Sequence, residues 1–211
     1  DLLISLEAGP LTPTGKLLNV AVEGDAWLAI QTPAGTVYTR DEVEMVAALC
    51  RDRGLFFVSD EVYREFVYDG RVATSALSLA GFLDQVIVVD SLSKRYSACG
   101  IRLGSLATRN EEVHQAVLRM AQGRLSPPGL AQLLATGAVE LGKSYFDSIV
   151  DEYQGRRDLL FTGLTSIPGL FLRKPEGAFY FVARLPITDS EDFARYLLSD
   201  FSHRGATVMV A

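Results

Sequence analysis

Lys94 and Arg102 lie eight positions apart in "SLSKRYSACGIRLGS", a segment otherwise built from small and apolar residues. A lysine amine is a nucleophile toward carbonyls, and an arginine fork beside hydroxyls grips phosphate through paired, charge-assisted hydrogen bonds. Ser91 and Ser93 supply those hydroxyls. Upstream, "VSDEVY" sets Asp60 directly after an apolar run and Tyr63 three residues later. A carboxylate there can hold a proton on a ring nitrogen, and a phenol can hydrogen-bond a ring oxygen and tune its neighbour's pKa. Thr32, in "TPAGTVY", is a further polar residue at the end of an apolar run. Each residue alone has an ordinary structural use: an Asp after a strand caps a turn, and an isolated Lys or Arg is solvated or ion-paired. Together they offer an amine for an aldehyde, a carboxylate and a phenol for an aromatic heterocycle, and donors for a phosphate.

These residues need a scaffold that brings strand ends together. From residue 26 the chain alternates short apolar runs with helical patterns, which predicts an α/β fold with a mostly parallel sheet covered by helices in three layers. "WLAIQT", "LFFVS", "QVIVVDS" and "IRLGSLAT" read as strands. In "TRDEVEMVAALCRDRG", Thr39 and Glu42 form a capping box, Val43, Val46, Ala47 and Cys50 share one face, and Gly54 supplies the stop. In open parallel sheets ligands collect beyond the carboxyl ends of the strands, where Thr32, Asp60, Ser91 to Lys94 and Arg102 fall. The middle of the chain is helical: Asn110 caps "EEVHQAVLRMAQG", "SPPG" breaks the pattern, and residues 130–142 and 144–165 continue as helices. "LFLRKPEGAFYFVARLP" predicts two strands around a "KPEG" turn, "DSEDFARYLLSDFSHRG" a helix capped by Asp189 or Ser190, and "ATVMVA" a strand. The division expected is a large domain over 1–150 and a smaller α+β domain over 151–211.

Composition narrows the function classes. A chain of 211 residues with 48% hydrophobic and 22% charged residues is ordinary globular material. A formal net charge of −6 without a basic run argues against a nucleic-acid partner. The longest apolar runs are strand-sized, far below the roughly 20 residues of a membrane helix. "DLLISLEAGPL" lacks the basic start of a signal peptide. Cys50 and Cys99 are far apart with no metal-ligand or disulfide-framework spacing, so no metal is expected and a cytoplasmic location is.

One cofactor asks for all the donors above: pyridoxal 5'-phosphate. A lysine forms the Schiff base with its aldehyde, a carboxylate faces its pyridine nitrogen, a phenol meets its ring oxygen, and a cation with hydroxyls holds its phosphate. "VSDEVYREFVYDG" followed by "DSLSKRYSACGIRLGS" resembles the core of the fold-type I pyridoxal-phosphate enzymes, specifically the class I/II aminotransferases. "TPAGTVYTRDEV" resembles that family's Asn-Pro-Thr-Gly turn and following helix, and "LSPPGLAQ", "EYQGRRDLL" and "KPEGAFYFVARLP" resemble its connecting helix and small domain. The resemblance implies Lys94 as the Schiff-base lysine that also moves the substrate α-proton, Asp60 as the partner of the pyridine nitrogen, and Tyr63 on the ring oxygen. It implies Ser91, Ser93 and Arg102 around the phosphate.

The sequence departs from the family at three places. Thr32 stands where the family's turn carries Asn, with one hydroxyl in place of an amide's paired groups, while Pro33 and Gly35 keep the turn shape. Little chain precedes that turn, so the family's first phosphate turn and stacking aromatic are expected in a segment absent between about Lys16 and Ala26, from a protein roughly twice as long; a truncated chain inactive as a transaminase is the alternative. No residue is assigned the arginine that grips the substrate carboxylate. The activity implied is transfer of an amino group from an amino acid, aspartate or aromatic, to a 2-oxo acid, by a homodimer. An elimination enzyme such as a carbon–sulfur lyase is the alternative. An aminotransferase-like regulatory domain ranks below both, since the N-terminal residues show no basic helical module.

Overall fold

The computed structural model describes residues 28–29 and 40–210. Thr32, Pro33, Gly35 and the Thr39 cap lie outside the described residues. Among the described residues four strands form one sheet in chain order: β1 (Leu28–Ala29), β2 (Phe57–Asp60), β3 (Val86–Ser91) and β4 (Gly104–Thr108). The first three run parallel and β4 runs antiparallel to β3, so the sheet is mixed at that side. The strand predicted over "IRLGSLAT" is shorter than the apolar pattern suggested. Arg102 takes a left-handed conformation (φ 57), and pairing begins only at Gly104.

Helix α1 (Arg40–Asp52) follows the predicted spacing: Val43, Ala47 and Cys50 are buried on one face. It ends as read, in a paired motif at Gly54, whose φ of 65 suits a residue without Cβ. There Leu55 N–H donates to the Cys50 carbonyl (2.8 Å) and Gly54 N–H to that of Arg51 (3.1 Å), satisfying two otherwise orphaned acceptors. The α1 face packs with Phe57, Val86, Val88 and the turn residues Ala76, Leu79 and Phe82 in a single cluster. Ile87, between Val86 and Val88, points to the opposite face and is also buried, as expected of a strand covered on both sides.

Helices α3 (Glu111–Arg124), α4 (Gly129–Ala138) and α5 (Lys143–Thr165) match the predicted helical middle. Asn110 caps α3 by accepting from Val113 N–H at 2.9 Å, and residue 150 lies inside α5. Beyond it, β5 (Phe171–Leu172) and β6 (Ala183–Arg184) pair antiparallel, and α6 (Ser190–Ser199) is capped by Asp189, which accepts from Glu191 and Asp192 N–H. β5 and β6 are the two strands expected around "KPEG", shorter than the apolar pattern, and the backbone between them also pairs across the fold: Tyr68 N–H donates to the Glu176 carbonyl (3.0 Å) and Ala178 N–H to that of Phe66 (2.8 Å). One expectation fails here: residues 206–210 of "ATVMVA" form no strand, because among the described residues they meet no partner strand, and a strand without one leaves its ladder unpaired.

Arg157 of α5 is the tie between these regions. It is 3% exposed, and its two Nη atoms donate to the two Asp69 carboxylate oxygens at 2.8 Å each. Nε donates to Asp158 Oδ1 (2.8 Å), Nη1 to the Pro175 carbonyl (3.0 Å), and the guanidinium lies 4.7 Å from the Tyr68 ring centroid. Tyr68, itself buried, donates its hydroxyl to the Ala178 carbonyl at 2.6 Å. One cation therefore holds the turn after residue 66, helix α5 and the 175–178 backbone at once.

Replacing Arg157 with Leu is expected to lower stability by about 2–4 kcal/mol in denaturant melts, since a buried charge network loses its centre while Asp69 regains water. The Arg157 hydrogen bonds hold the Asp69 carboxyl below its ordinary range, and Lys174 ahead of Arg157 does the same for Asp158. Both groups contribute stability that is fully present above the unfolded carboxylate value of about 3.9 and is lost as pH falls through the lowered folded value. Asp69→Asn is expected to flatten that acid-side slope in melts recorded across pH; an unchanged slope would count against the assignment.

Candidate active site

The site is built on two neighbouring strand ends. Parallel pairing puts Asp60 opposite Val89, so the end of β2 stands two residues short of Ser91 at the end of β3. Glu61 holds this corner: it is buried, and its Oε1 accepts from Ser75 Oγ (3.0 Å), Ala76 N–H (2.8 Å) and Ser59 Oγ (3.3 Å). Glu61 N–H also donates to the Val89 carbonyl at 2.9 Å. With Glu61 turned into the core, Asp60 is left exposed, its Oδ1 accepting from Val62 N–H at 3.1 Å.

Lys94 sits in α2 (Leu92–Arg95), a single turn of four residues. A turn this short does not hold itself, since helix nucleation is unfavourable, so its neighbours must hold it. Ser91 caps it by accepting from Ser93 N–H (3.1 Å), its hydroxyl donates to the Leu103 carbonyl (3.2 Å), and the Ser91 and Ser93 hydroxyls share a further hydrogen bond (2.8 Å). Leu92 N–H reaches the same carbonyl at 3.2 Å. These bonds bring the residues flanking Lys94 against the segment that carries Arg102. Gly104 makes the approach possible: a Cβ there would stand 2.8 Å from the Asp90 carbonyl oxygen. Arg102 is exposed and donates Nη1 to the Cys99 carbonyl at 3.1 Å. Its left-handed backbone carries a cost on the order of 1 kcal/mol, sustained by the surrounding turn.

An aromatic cluster closes the opposite side. Lys94 Nζ lies 5.7 Å from the centroid of Phe179, whose ring meets Tyr63 edge-on at 5.0 Å. The hydroxyls of Tyr63 and Tyr180 share a hydrogen bond. The Tyr63 phenol is held well above its ordinary value by burial first, then by its bond to Tyr180 and by the nearby Tyr180 and Asp60. Asp60, Tyr63 and Lys94 therefore converge, and Ser91, Ser93 and Arg102 lie beside them across the β3 and β4 ends. Phe179, Tyr180 and Glu61 were not singled out from sequence. Glu61 is visible there only as the neighbour of Asp60, and the two aromatics sit in "GAFYF", more than a hundred residues from Tyr63. No local spacing signals that contact.

The donor set suits a phosphorylated aromatic aldehyde: an amine without a carboxylate partner among the described residues, an exposed strand-end carboxylate, a phenol kept protonated, and a cation beside two hydroxyls. Pyridoxal phosphate has those features, and the residues present fit it. Among the described residues no cluster of His, Cys, Asp or Glu could hold a metal ion.

Tyr180→Phe is expected to bring the Tyr63 phenol to ionise at lower pH, because the hydroxyl bond and the neighbouring charge that raise it are gone while burial remains. Titration of ring-labelled tyrosine by NMR reads this directly, and an unmoved Tyr63 signal would remove Tyr180 from the site.

Comparison with known proteins identifies the family. The family model described as aminotransferase class I and II matches residues 18–203. The aspartate aminotransferase of Bacillus subtilis is 29% identical over 170 residues, covering 78% of this chain and 43% of the relative. A probable aspartate/prephenate aminotransferase of Aquifex aeolicus is 34% identical over 154 residues, covering 70% of this chain and 38% of its own. The crystal structure of an aromatic aminotransferase from Pyrococcus horikoshii superposes with a TM-score of 0.70 at 30% identity, over 79% of this chain and 45% of that one. The chain thus spans less than half the length of these relatives. A family match over most of the sequence, and a fold that gathers the lysine, carboxylate and phenol at the strand ends, lead to one conclusion: the chain belongs to the class I and II aminotransferases.

Proposed function

We propose that this chain carries the cofactor-binding half of a pyridoxal-phosphate-dependent aminotransferase. Enzymes of the family use this cofactor, which when bound supplies an electron sink for the substrate's α-carbon. Lys94 would bind the aldehyde covalently and serve as base and acid for the α-proton. Asp60 would meet the pyridine nitrogen and favour its protonated form. Tyr63 donates to the ring oxygen, for which its raised pKa keeps the proton available. Ser91, Ser93 and Arg102 hold the phosphate; Thr32, outside the described residues, is assigned a ring-oxygen contact from the sequence resemblance alone.

The observation that carries this reading is that Lys94 and Tyr63 meet at Phe179 while the Asp60 charge acts on Tyr63, with Lys94 free of any carboxylate partner among the described residues. An amine kept out of ion pairs is available as a nucleophile once it loses its proton. The overall reaction is transfer of an amino group from an amino acid to a 2-oxo acid. Aspartate and aromatic amino acids are the donors proposed, since the relatives above carry those names. The working form proposed is a homodimer in the cytoplasm. No helix among the described residues is long and apolar enough to cross a membrane.

The full-length protein is expected to gain a visible absorbance band on addition of pyridoxal phosphate, and borohydride followed by peptide mass spectrometry should place the reduced adduct on Lys94. Lys94→Ala should abolish the adduct and lower the rate of aspartate-dependent amino transfer by about 10³-fold or more, the scale of losing a general acid and base together with the covalent anchor. An adduct elsewhere, or ammonia release without dependence on a 2-oxo acid, would overturn the assignment.

A further inference from the structure

Arg95 follows Lys94 directly and is engaged on two sides. Its Nε donates to Glu65 Oε2 at 2.8 Å and its Nη2 to Asp90 Oδ2. The three side chains are largely buried, at 14% exposure for Arg95, 21% for Glu65 and 16% for Asp90. Asp90 is held in turn, its Oδ1 accepting from Ser91 N–H at 2.7 Å, and Glu65 Oε1 accepts from Arg64 Nη2 at 3.3 Å. The guanidinium therefore joins the end of β3, the segment that carries Tyr63, and the one-turn helix that carries Lys94.

We propose that Arg95 is a positioning residue for Lys94: by clamping Asp90 and Glu65 it fixes the α2 turn, aims the lysine amine over Phe179, and keeps both carboxylates away from it. Three observations support this. The α2 turn has only four residues and cannot set its own orientation. Adjacent residues on a helix leave in different directions, so anchoring Arg95 determines where Lys94 points. And the two carboxylates nearest the turn in the ion-pair network are both taken by Arg95, while Lys94 has none among the described residues. Tyr96, the next residue, extends the anchorage by stacking near Tyr145 of α5, with centroids 6.1 Å apart.

This inference rests on Lys94 as the cofactor-binding amine, and its test separates the two. In the cofactor-free full-length protein, trace acetylation of Lys94 is compared with that of exposed Lys143 by peptide mass spectrometry. Arg95→Gln is expected to lower the Lys94:Lys143 ratio by about threefold or more, because the amine leaves its aimed position toward the released carboxylates, with Arg95→Lys intermediate, since it keeps the charge without the fork. A ratio that is unchanged or higher in folded Arg95→Gln overturns the proposal. Should Arg95→Gln fail to fold, Glu65→Gln decides: it frees one arm of the clamp and is expected to lower the ratio by a smaller factor, and no change overturns the proposal equally. After loading with pyridoxal phosphate, the circular dichroism of the bound cofactor, compared at equal occupancy, should fall to about half or less in Arg95→Gln and recover in part in Arg95→Lys. A protein that takes up no cofactor would refute the function proposed above, while the acetylation ratios would still judge the clamp.

Discussion

The parallel register of β2 on β3 is the constraint on which the site depends. With Asp60 opposite Val89, the carboxylate and the turn after Ser91 emerge from the same edge of the sheet. A shift by one residue would exchange the roles of Asp60 and Glu61, sending the first into the core and the second toward the site. The register is pinned twice over. Val86, Ile87 and Val88 of β3 are buried, and Glu61 fastens the strand end to the turn at Ser75 and Ala76 with a buried carboxylate that has its partners. Two adjacent acids in the sequence thus divide between holding the frame and facing the site.

Charge is distributed by the same logic. The arginines that meet carboxylates in the interior, Arg157 and Arg95, are structural forks. Arg157 gathers a turn, a helix and a length of backbone, which brings the segment bearing Phe179 and Tyr180 over Tyr63. Arg95 gathers the carboxylates around the α2 turn. What remains at the strand ends is the functional set: exposed Asp60, half-buried Lys94, and exposed Arg102 on its left-handed backbone. Buried ion pairs contribute little net stability once desolvation is counted, and their value here is geometric.

Much of this was legible in the sequence because the relevant signals are local. The i, i+4, i+7 burial of Val43, Ala47 and Cys50, the stop at Gly54, and the caps at Asn110 and Asp189 all appear where spacing predicted them. The strands at β2 and β3 likewise follow their apolar runs. The departures came where a partner distant in sequence decided the outcome. The two strands expected around "KPEG" are present but short, because the 66–68 backbone exchanges hydrogen bonds with the segment between them and Arg157 takes the Pro175 carbonyl. "ATVMVA" has strand composition but no partner strand among the described residues, and the apolar start of "IRLGSLAT" gives way to the left-handed turn at Arg102.

The sequence by itself determined the α/β class and the kinds of chemistry available, because residue type and short-range spacing carry both. The nucleophilic amine, the strand-end carboxylate and the phosphate-gripping fork could be named from "VSDEVY" and "SLSKRYSACGIRLGS" alone. Tertiary structure alone decided that Tyr180 and Phe179 join Tyr63 and Lys94, that Glu61 rather than Asp60 turns inward, and that Arg95 takes up the acids beside the lysine. Those contacts depend on the direction of side chains across positions 15 to more than 100 residues apart, and linear spacing holds no record of that direction.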